Sequence, residues 1–215
     1  MGLQSRYYPV LLRLEGRKCL VVGGGAVALR KVRSLLEAGG RVYVVSPEFC
    51  APLKRMKCVV LHRRPYRKSD LHGAALVISA TDDQSVNRRV AREAMAEGLP
   101  VNVVDQPELC SFIVPASFKR GRLTISISTG GASPALAAAI RRRLERIVGV
   151  EYSRLVEALA SVRGEAIRRI ADSRLRRQIL QQVVSAEFLK LAKRSSARTV
   201  RRAMLKVIHS AAKNN

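Results

Sequence analysis

The sequence predicts an α/β fold in which a doubly wound parallel sheet is followed by an appended β-hairpin and a C-terminal all-helical region. Three observations predict it. Apolar runs of strand length alternate with helical patterns between residues 18 and 105, a hairpin pattern follows, and helical periodicity continues beyond Pro134. We expect a sheet domain over residues 1–115, a hairpin and connecting segment over 116–148, and a basic helical domain over 149–215.

The first element combines a strand, a glycine turn and a helix. The apolar run Cys19–Val22 leads into a glycine triplet, Gly23–Gly25, and a helical pattern follows. Gly23, Gly25 and Ala28 fit the spacing G-x-G-x-x-A, in which the glycines make a tight turn and let backbone approach a pyrophosphate. The pattern favours a Rossmann-like dinucleotide site, and the alternative is an ordinary turn between strand and helix.

The second strand, Arg41–Val45, indicates which dinucleotide is bound. An acidic residue usually ends this strand and binds the ribose 2′-hydroxyl of NAD. Here Ser46 takes that place, and the nearest acid, Glu48, lies beyond Pro47. Because no arginine stands at the strand end to hold a 2′-phosphate, the sequence favours NAD over NADP.

Two further strands, Val59–His62 and Ala75–Ser79, complete the alternation before the next helix. Thr81 and Asp82 follow the fourth strand, at the edge where a parallel sheet binds its cofactor. We expect both residues to contact the cofactor. The alternative is that Asp82 or its neighbour Asp83 only caps the helix that follows.

A fifth strand over Pro100–Asp105 ends on a carboxylate at the same edge. Asp105 is the best single candidate for chemistry, because a carboxylate near a nicotinamide can accept a proton or orient a basic nitrogen of the substrate. The alternative is an aspartate that caps a turn before Pro107.

After residue 111 the pattern changes to a hairpin, with strands over Phe112–Val114 and Leu123–Ser128 and a turn at Lys119–Gly121. The loop that follows, Ser128, Thr129, Gly130 and Gly131, precedes a helix capped by Ser133 and begun by Pro134. Hydroxyls and glycines before a helix favour an anion site, and a plain glycine loop is the alternative.

Beyond Pro134 the chain is predicted to be helical, with breaks near Gly149, Gly164 and Asp172. Two apolar stripes are expected to be buried. They consist of Leu155, Val156, Leu159 and Val162, and of Ile179, Leu180, Val183 and Val184. So small a helical region must cover these stripes with the sheet domain or with a second subunit.

The chain carries 40 basic residues against 16 acidic ones, a formal net charge of +24. Such an excess attracts a nucleic acid, an acidic membrane surface or a small polycarboxylate. Aromatic residues make up only 4% of the chain and tryptophan is absent, which disfavours nucleic acid. The alternative is a solvated basic surface without a ligand.

No segment reaches the ~20 apolar residues of a membrane span, and the N-terminus lacks the apolar stretch of a signal peptide. We therefore expect a cytoplasmic protein without a membrane partner. The four cysteines, Cys19, Cys50, Cys58 and Cys110, show no metal-ligand spacing. We interpret them as small buried residues in a reducing compartment and expect no bound metal.

Four motifs together resemble the precorrin-2 dehydrogenase family, which includes the N-terminal part of siroheme synthase. They are YYPVLLRLEGRKCLVVGGGAVALRKVRSLLEAGG, ATDDQSVNRRV, VNVVDQPELCSFIVPA and STGGASPALA, in register across about residues 7 to 145. The resemblance implies NAD-dependent oxidation of precorrin-2 to sirohydrochlorin, and in some members insertion of ferrous iron. It also implies a homodimer. A tetrapyrrole substrate with several carboxylates would be the ligand that the positive charge attracts.

The resemblance also implies roles for individual residues. Asp105 matches the essential aspartate of the family, and the positions that hold NAD correspond to Ala26, Val27, Pro47 and Glu48. The loop Ser128–Gly131 lies where the substrate docks. Two other functions stay open: a regulatory module that senses NAD without turnover, and, ranked after it, a nucleic-acid-binding protein.

Overall fold

The computed structural model describes residues 7–213. It divides into two compact units, the first ending at Val114 and the second beginning at Pro115. A further boundary between residues 148 and 149 stays a prediction. The first unit contains β1 (Lys18–Val22), α1 (Ala26–Glu37), β2 (Arg41–Ser46), α2 (Ala51–Lys54), β3 (Val60–Arg63), β4 (Ala74–Ser79), α3 (Gln84–Ala96) and β5 (Val101–Val103).

The five strands of the first unit form one parallel sheet in the order β3-β2-β1-β4-β5, which confirms the predicted doubly wound sheet. Side chains alternate between its two faces. Val21 and Val44 pack toward α1, whereas Leu20 and Val45 pack into the opposite core with α3. Because both faces are covered, the central strands β1 and β4 are almost continuously apolar, as the sequence pattern indicated.

The second unit begins with an antiparallel hairpin and continues as five helices. Its elements are β6 (Ala116–Arg120), β7 (Leu123–Ile127), α4 (Pro134–Ile147), α5 (Val150–Arg169), α6 (Ser173–Gln182), α7 (Ala186–Arg194) and α8 (Ala197–Lys213). The hairpin forms a two-stranded sheet of its own. No helix within residues 7–213 is long and apolar enough to cross a membrane.

The first strand of the hairpin was wrongly predicted at Phe112–Val114, since β6 starts only at Ala116. Residues 111 and 112 instead lie beside β5. The amide of Ser111 donates to the Val101 carbonyl at 2.9 Å, and Nδ2 of Asn102 donates to the Phe112 carbonyl at 3.1 Å. These bonds occupy the polar groups that a hairpin partner would need.

The predicted break at Gly164 is also wrong, because α5 continues through it to Arg169. An interior glycine costs a helix only about 1 kcal/mol, and packing on either side outweighs that cost. Val162 and Ala166 are completely buried, in a core that includes Met204 of α8.

Of the two predicted apolar stripes, only part is fully buried. Leu155 and Val162 of the first stripe are buried, as is Val183 of the second. Val184 is 56% exposed and lies two residues beyond the end of α6 at Gln182.

Glu165 on α5 makes the stability of the second unit dependent on acid pH. Its carboxylate accepts hydrogen bonds from Arg169 and Arg168, which lower the pKa of Glu165 from 4.5 to about 2. A carboxyl whose pKa is lower in the folded state stabilises the fold above its unfolded pKa, and this contribution is lost as pH falls through the folded value.

Between pH 6 and pH 2.5 the thermal midpoint of the wild type should therefore fall further than that of Glu165→Gln. We expect the two decreases to differ by a few degrees. Circular dichroism melts at several pH values measure it. Glu157→Gln, an exposed glutamate on the same helix, is the control and should follow the wild type. Parallel pH curves for the wild type and Glu165→Gln would contradict the prediction.

Candidate functional site

The carboxyl ends of four parallel strands bring most of the predicted site residues to one edge of the first unit. Gly23–Gly25 follow β1, Ser46–Glu48 end β2 and continue from it, Thr81 and Asp82 follow β4, and Asp105 follows β5. The central position of β1 puts the glycine turn between the loops of its two neighbours. In a doubly wound sheet this is the edge that binds ligands.

Gly23 makes the tight turn that the glycine pattern predicted. Its φ is +121°, in the range that favours glycine, and a Cβ atom would overlap the backbone carbonyl of Ala80. The Gly23 amide donates to the Val45 carbonyl at 2.9 Å. Any side chain here would separate the turn from β4.

Gly24 has a structural role that the fingerprint does not include. A Cβ atom on it would overlap the carbonyl oxygen of Glu48, and the Cys50 amide donates to the Gly24 carbonyl at 2.8 Å. The glycine turn and the loop after β2 are thus fixed to each other. A third consecutive glycine was the only signal of this contact in the sequence.

Gly25 faces open space within the first unit, and a Cβ there would meet no atom within 4 Å. It is the N-cap of α1, but no side chain caps that helix and its first turn holds no acid. The amides of Ala26 and Val27 therefore lack intrahelical acceptors and lie at the positive end of the helix dipole. This combination fits the pyrophosphate of a dinucleotide.

An arginine lies beside the loop after β2, which the sequence pattern did not indicate. Ser46 lies opposite Arg63 in the parallel ladder between β2 and β3, and Nε of Arg63 donates to the Pro47 carbonyl at 3.3 Å. No arginine follows β2 in the chain, but strand pairing places Arg63 of β3 beside this strand end. Glu48 is exposed beside Pro47.

At the end of β4 the helix cap is Asp83. Its carboxylate accepts from the amides of Ser85 at 2.8 Å and Val86 at 3.2 Å. Hydrogen bonds to the Asp83 carboxylate lower its pKa, and the bond from the Ser85 hydroxyl has a larger effect than those from the two amides. Thr81 also serves this turn, since its Oγ1 accepts from the Asp83 amide at 2.9 Å. Asp82 is exposed and does not cap the helix. Its carboxylate is therefore available for the predicted contact with the cofactor.

Asp105 is exposed and has a φ of +59°, the only positive φ at a non-glycine residue in the part of the chain that the structure describes. Aspartate tolerates this left-handed conformation better than most residues, yet the conformation still costs energy. Such strain occurs preferentially at functional sites.

Lys31 on α1 lies near the Asp105 loop and was missed by the sequence interpretation. Burial lowers the pKa of Lys31 and so does the charge of Arg30, while Cys110 and Asp105 act in the opposite direction. The ammonium group is therefore within electrostatic range of Asp105. On the sequence alone, Lys31 was one of many basic residues on a helix.

The loop Ser128–Gly131 lies in the second unit, between β7 and α4. The Ser128 hydroxyl accepts from the Gly130 amide at 3.1 Å, and Oγ1 of Thr129 accepts from the Ser133 amide at 3.0 Å. Gly130 and Gly131 have φ values of +63° and +90°. As predicted, Ser133 caps α4, accepting from the Leu136 amide at 3.2 Å. A substrate role for this loop stays a prediction.

Two protein-family models match the chain in succession. Residues 10–116 match a model described as putative NAD(P)-binding, and residues 120–147 match the sirohaem biosynthesis protein central model. Their order along the chain agrees with the order of the glycine turn and the hairpin segment.

Sequence relatives and a solved structure are similar to the chain over most of its length. The siroheme synthase of Thioalkalivibrio sulfidiphilus is 42% identical over 188 residues, which cover 86% of this chain and 38% of that protein. The siroheme synthase of Methylococcus capsulatus is 36% identical over 210 residues, 96% of this chain and 44% of that protein. The structure of SirC, precorrin-2 dehydrogenase, matches with a TM-score of 0.76 and 28% identity, covering 95% of this chain and 100% of that chain. The chain spans about two fifths of the length of the siroheme synthases it matches.

Proposed function

Because the chain belongs to the precorrin-2 dehydrogenase and siroheme synthase family, we propose that it oxidises precorrin-2 to sirohydrochlorin with NAD as the electron acceptor. The observation that carries the proposal is the single sheet edge at which the glycine turn and Asp105 both lie. A dinucleotide site and an exposed carboxylate on one edge suit a reaction that removes a hydride and a proton.

The first unit supplies the residues that hold NAD in this proposal. The open backbone at Gly25 and the uncapped amides of Ala26 and Val27 bind the pyrophosphate. Ser46, Pro47 and Glu48 lie at the ribose end, and Thr81 and Asp82 border the same edge from β4. When bound, NAD accepts the hydride that leaves the tetrapyrrole.

Asp105 takes the proton in this proposal. Oxidation of precorrin-2 releases one hydride and one proton, so a base is required beside the cofactor. The carboxylate of Asp105 either accepts that proton or orients the pyrrole nitrogen that loses it. Ser128, Thr129, Gly130 and Gly131 bind the substrate, through backbone amides and hydroxyls suited to carboxylates.

An anaerobic assay with purified protein, precorrin-2 and NAD tests the proposal. We expect conversion to sirohydrochlorin that depends on NAD and yields one NADH for each product molecule. A parallel reaction with NADP tests whether Arg63 admits a 2′-phosphate, and we expect NAD to be preferred. Added ferrous iron tests for ferrochelatase activity. Binding of NAD without any conversion would contradict the dehydrogenase and favour the NAD-sensing module.

We also propose that the protein is a homodimer, with a face of α4 in the interface. Leu136, Ile140 and Ile147 are 53%, 38% and 61% exposed and lie on one side of that helix. Exposed apolar side chains aligned in this way are typical of protein interfaces. Two copies related by a twofold axis can cover the same face on each other.

Sedimentation equilibrium should therefore give a mass about twice the 23.7 kDa of one chain. Replacing both Leu136 and Ile140 with lysine should shift the equilibrium to the monomer. The matched control is Arg142→Ala on the opposite side of α4, which should leave the dimer intact. A monomeric wild type at micromolar concentration would refute the homodimer.

The proposal includes a cytoplasmic location. All four cysteines are free thiols, and Cys58 is exposed rather than buried as the sequence interpretation expected. Exposed thiols persist in a reducing compartment. Cell fractionation that finds the protein outside the cytoplasm would contradict this part of the proposal.

A further inference from the structure

Cys110 lies beside the base of the loop that carries Asp105, where it contacts Val103 and Gln106. Its sulfur accepts a hydrogen bond from the Val103 amide at 3.1 Å. On the donor side, the thiol faces the carbonyls of Val103 at 3.2 Å and Gln106 at 3.3 Å. The sulfur thus contacts the backbone two residues before Asp105 and one residue after it.

Two neighbouring residues, Asn102 and Ser111, hold the base of this loop against β5. Nδ2 of Asn102, a buried side chain, lies 3.5 Å from the sulfur and also donates to the Phe112 carbonyl at 3.1 Å. The hydroxyl of Ser111 accepts from the Val101 amide at 2.8 Å. The segment after Asp105 is therefore held along β5 on both sides of Cys110.

The Cys110 thiol is protonated, which suits the two carbonyl oxygens that face it. Burial raises the pKa of Cys110, with smaller opposing effects from the Val103 amide and Lys31, so the thiol is neutral near pH 7. A neutral thiol can donate to one of the two carbonyls that face it, whereas a thiolate would be repelled by both. The hydrogen bonds therefore require the protonated form.

The Gln106 amide donates to the Val103 carbonyl at 3.4 Å and closes the Val103–Gln106 turn. We propose that Cys110 is a positioning residue for the reaction: its thiol supports this turn from the side and thereby keeps Asp105 in its left-handed conformation, with the carboxylate at the sheet edge. The role rests on the dehydrogenase activity proposed above. Cys110 acts on the reaction only through Asp105 and contacts neither substrate nor cofactor in this proposal.

Three substitutions separate positioning from packing. Cys110→Ala removes the hydrogen bonds and leaves space, Cys110→Val fills the space without the bonds, and Cys110→Ser restores a donor and an acceptor. We expect kcat to fall at least about tenfold in the alanine and valine variants, and less than about threefold in the serine variant. The affinity for NAD should change less than about twofold in all three. Cys58→Ala, at an exposed cysteine, is the control.

A double variant tests whether Cys110 acts through Asp105. In the Asp105→Asn background, Cys110→Ala should change the residual rate less than about twofold, because the group that it positions is gone. An undiminished effect there would overturn the proposal. So would equal losses in the serine and alanine variants, or a wild-type kcat in Cys110→Ala.

Hydrogen exchange at the Val103 amide gives a readout that needs no activity. Exchange should accelerate at least about tenfold in Cys110→Ala and Cys110→Val, but not in Cys110→Ser or Cys58→Ala. If the wild type does not oxidise precorrin-2, the proposed function fails and exchange alone decides whether Cys110 holds this turn. Unchanged exchange in Cys110→Ala would overturn the inference even in an active enzyme.

Discussion

Asp105→Asn is expected to lower kcat for precorrin-2 oxidation about 10²- to 10⁴-fold, the usual contribution of a general base, while the affinity for NAD stays unchanged. Asparagine keeps the size of the side chain and also tolerates the φ of +59°. The loss therefore reports the missing carboxylate. Stopped-flow or steady-state NADH formation measures the rate, and a fluorescence titration measures NAD binding.

Asp105→Gly is the matched variant that separates chemistry from strain. Glycine adopts a positive φ without a steric penalty, so the folded state should be at least as stable as the wild type in thermal melts. Its activity should nevertheless be as low as that of Asp105→Asn. Full activity of Asp105→Asn with an unchanged pH profile would show that Asp105 is not the base.

Gly24→Ala is expected to lower the free energy of unfolding by about 1–3 kcal/mol and to abolish NAD binding at millimolar cofactor. The added methyl group would overlap the backbone carbonyl of Glu48, which cannot move as a flexible side chain can. Relief requires the loop after β2 to separate from the glycine turn. Chemical denaturation and NAD titration measure the two effects.

Gly25→Ala is the control one residue away. Its φ of −83° suits alanine and the site is open, so the fold should keep its stability. If the pyrophosphate passes over Gly25, NAD affinity should still fall, since the methyl group would occupy the ligand's space. Equal stability of Gly24→Ala and the wild type would show that the contact with Glu48 is dispensable.

The sequence predicted the parts of the fold that depend on local pattern. The strand expected over Ala75–Ser79 is observed over Ala74–Ser79, and the Ser133 cap of α4 is confirmed. Apolar periodicity and capping residues act within a few positions of the chain, so one sequence suffices to detect them.

The features that sequence reasoning missed depend on residues that are distant in the chain. Gly24 is required because of Glu48, and Arg63 reaches the end of β2 only through strand pairing. Cys110 resembles any small apolar residue until its contacts with the Asp105 loop are known. Register and loop contacts of this kind follow from tertiary structure, which local patterns do not encode.

In the NAD complex proposed above, the uncapped start of α1 links cofactor supply to protein lifetime. Its amides have no side-chain partner, and a ligand that binds them in place of water favours the native state over the unfolded chain. Each tenfold rise in free NAD above the dissociation constant then adds about 1.4 kcal/mol to the free energy of unfolding. Proteolysis of the protein should slow as the cell's NAD pool grows, which couples turnover of this chain to metabolic state.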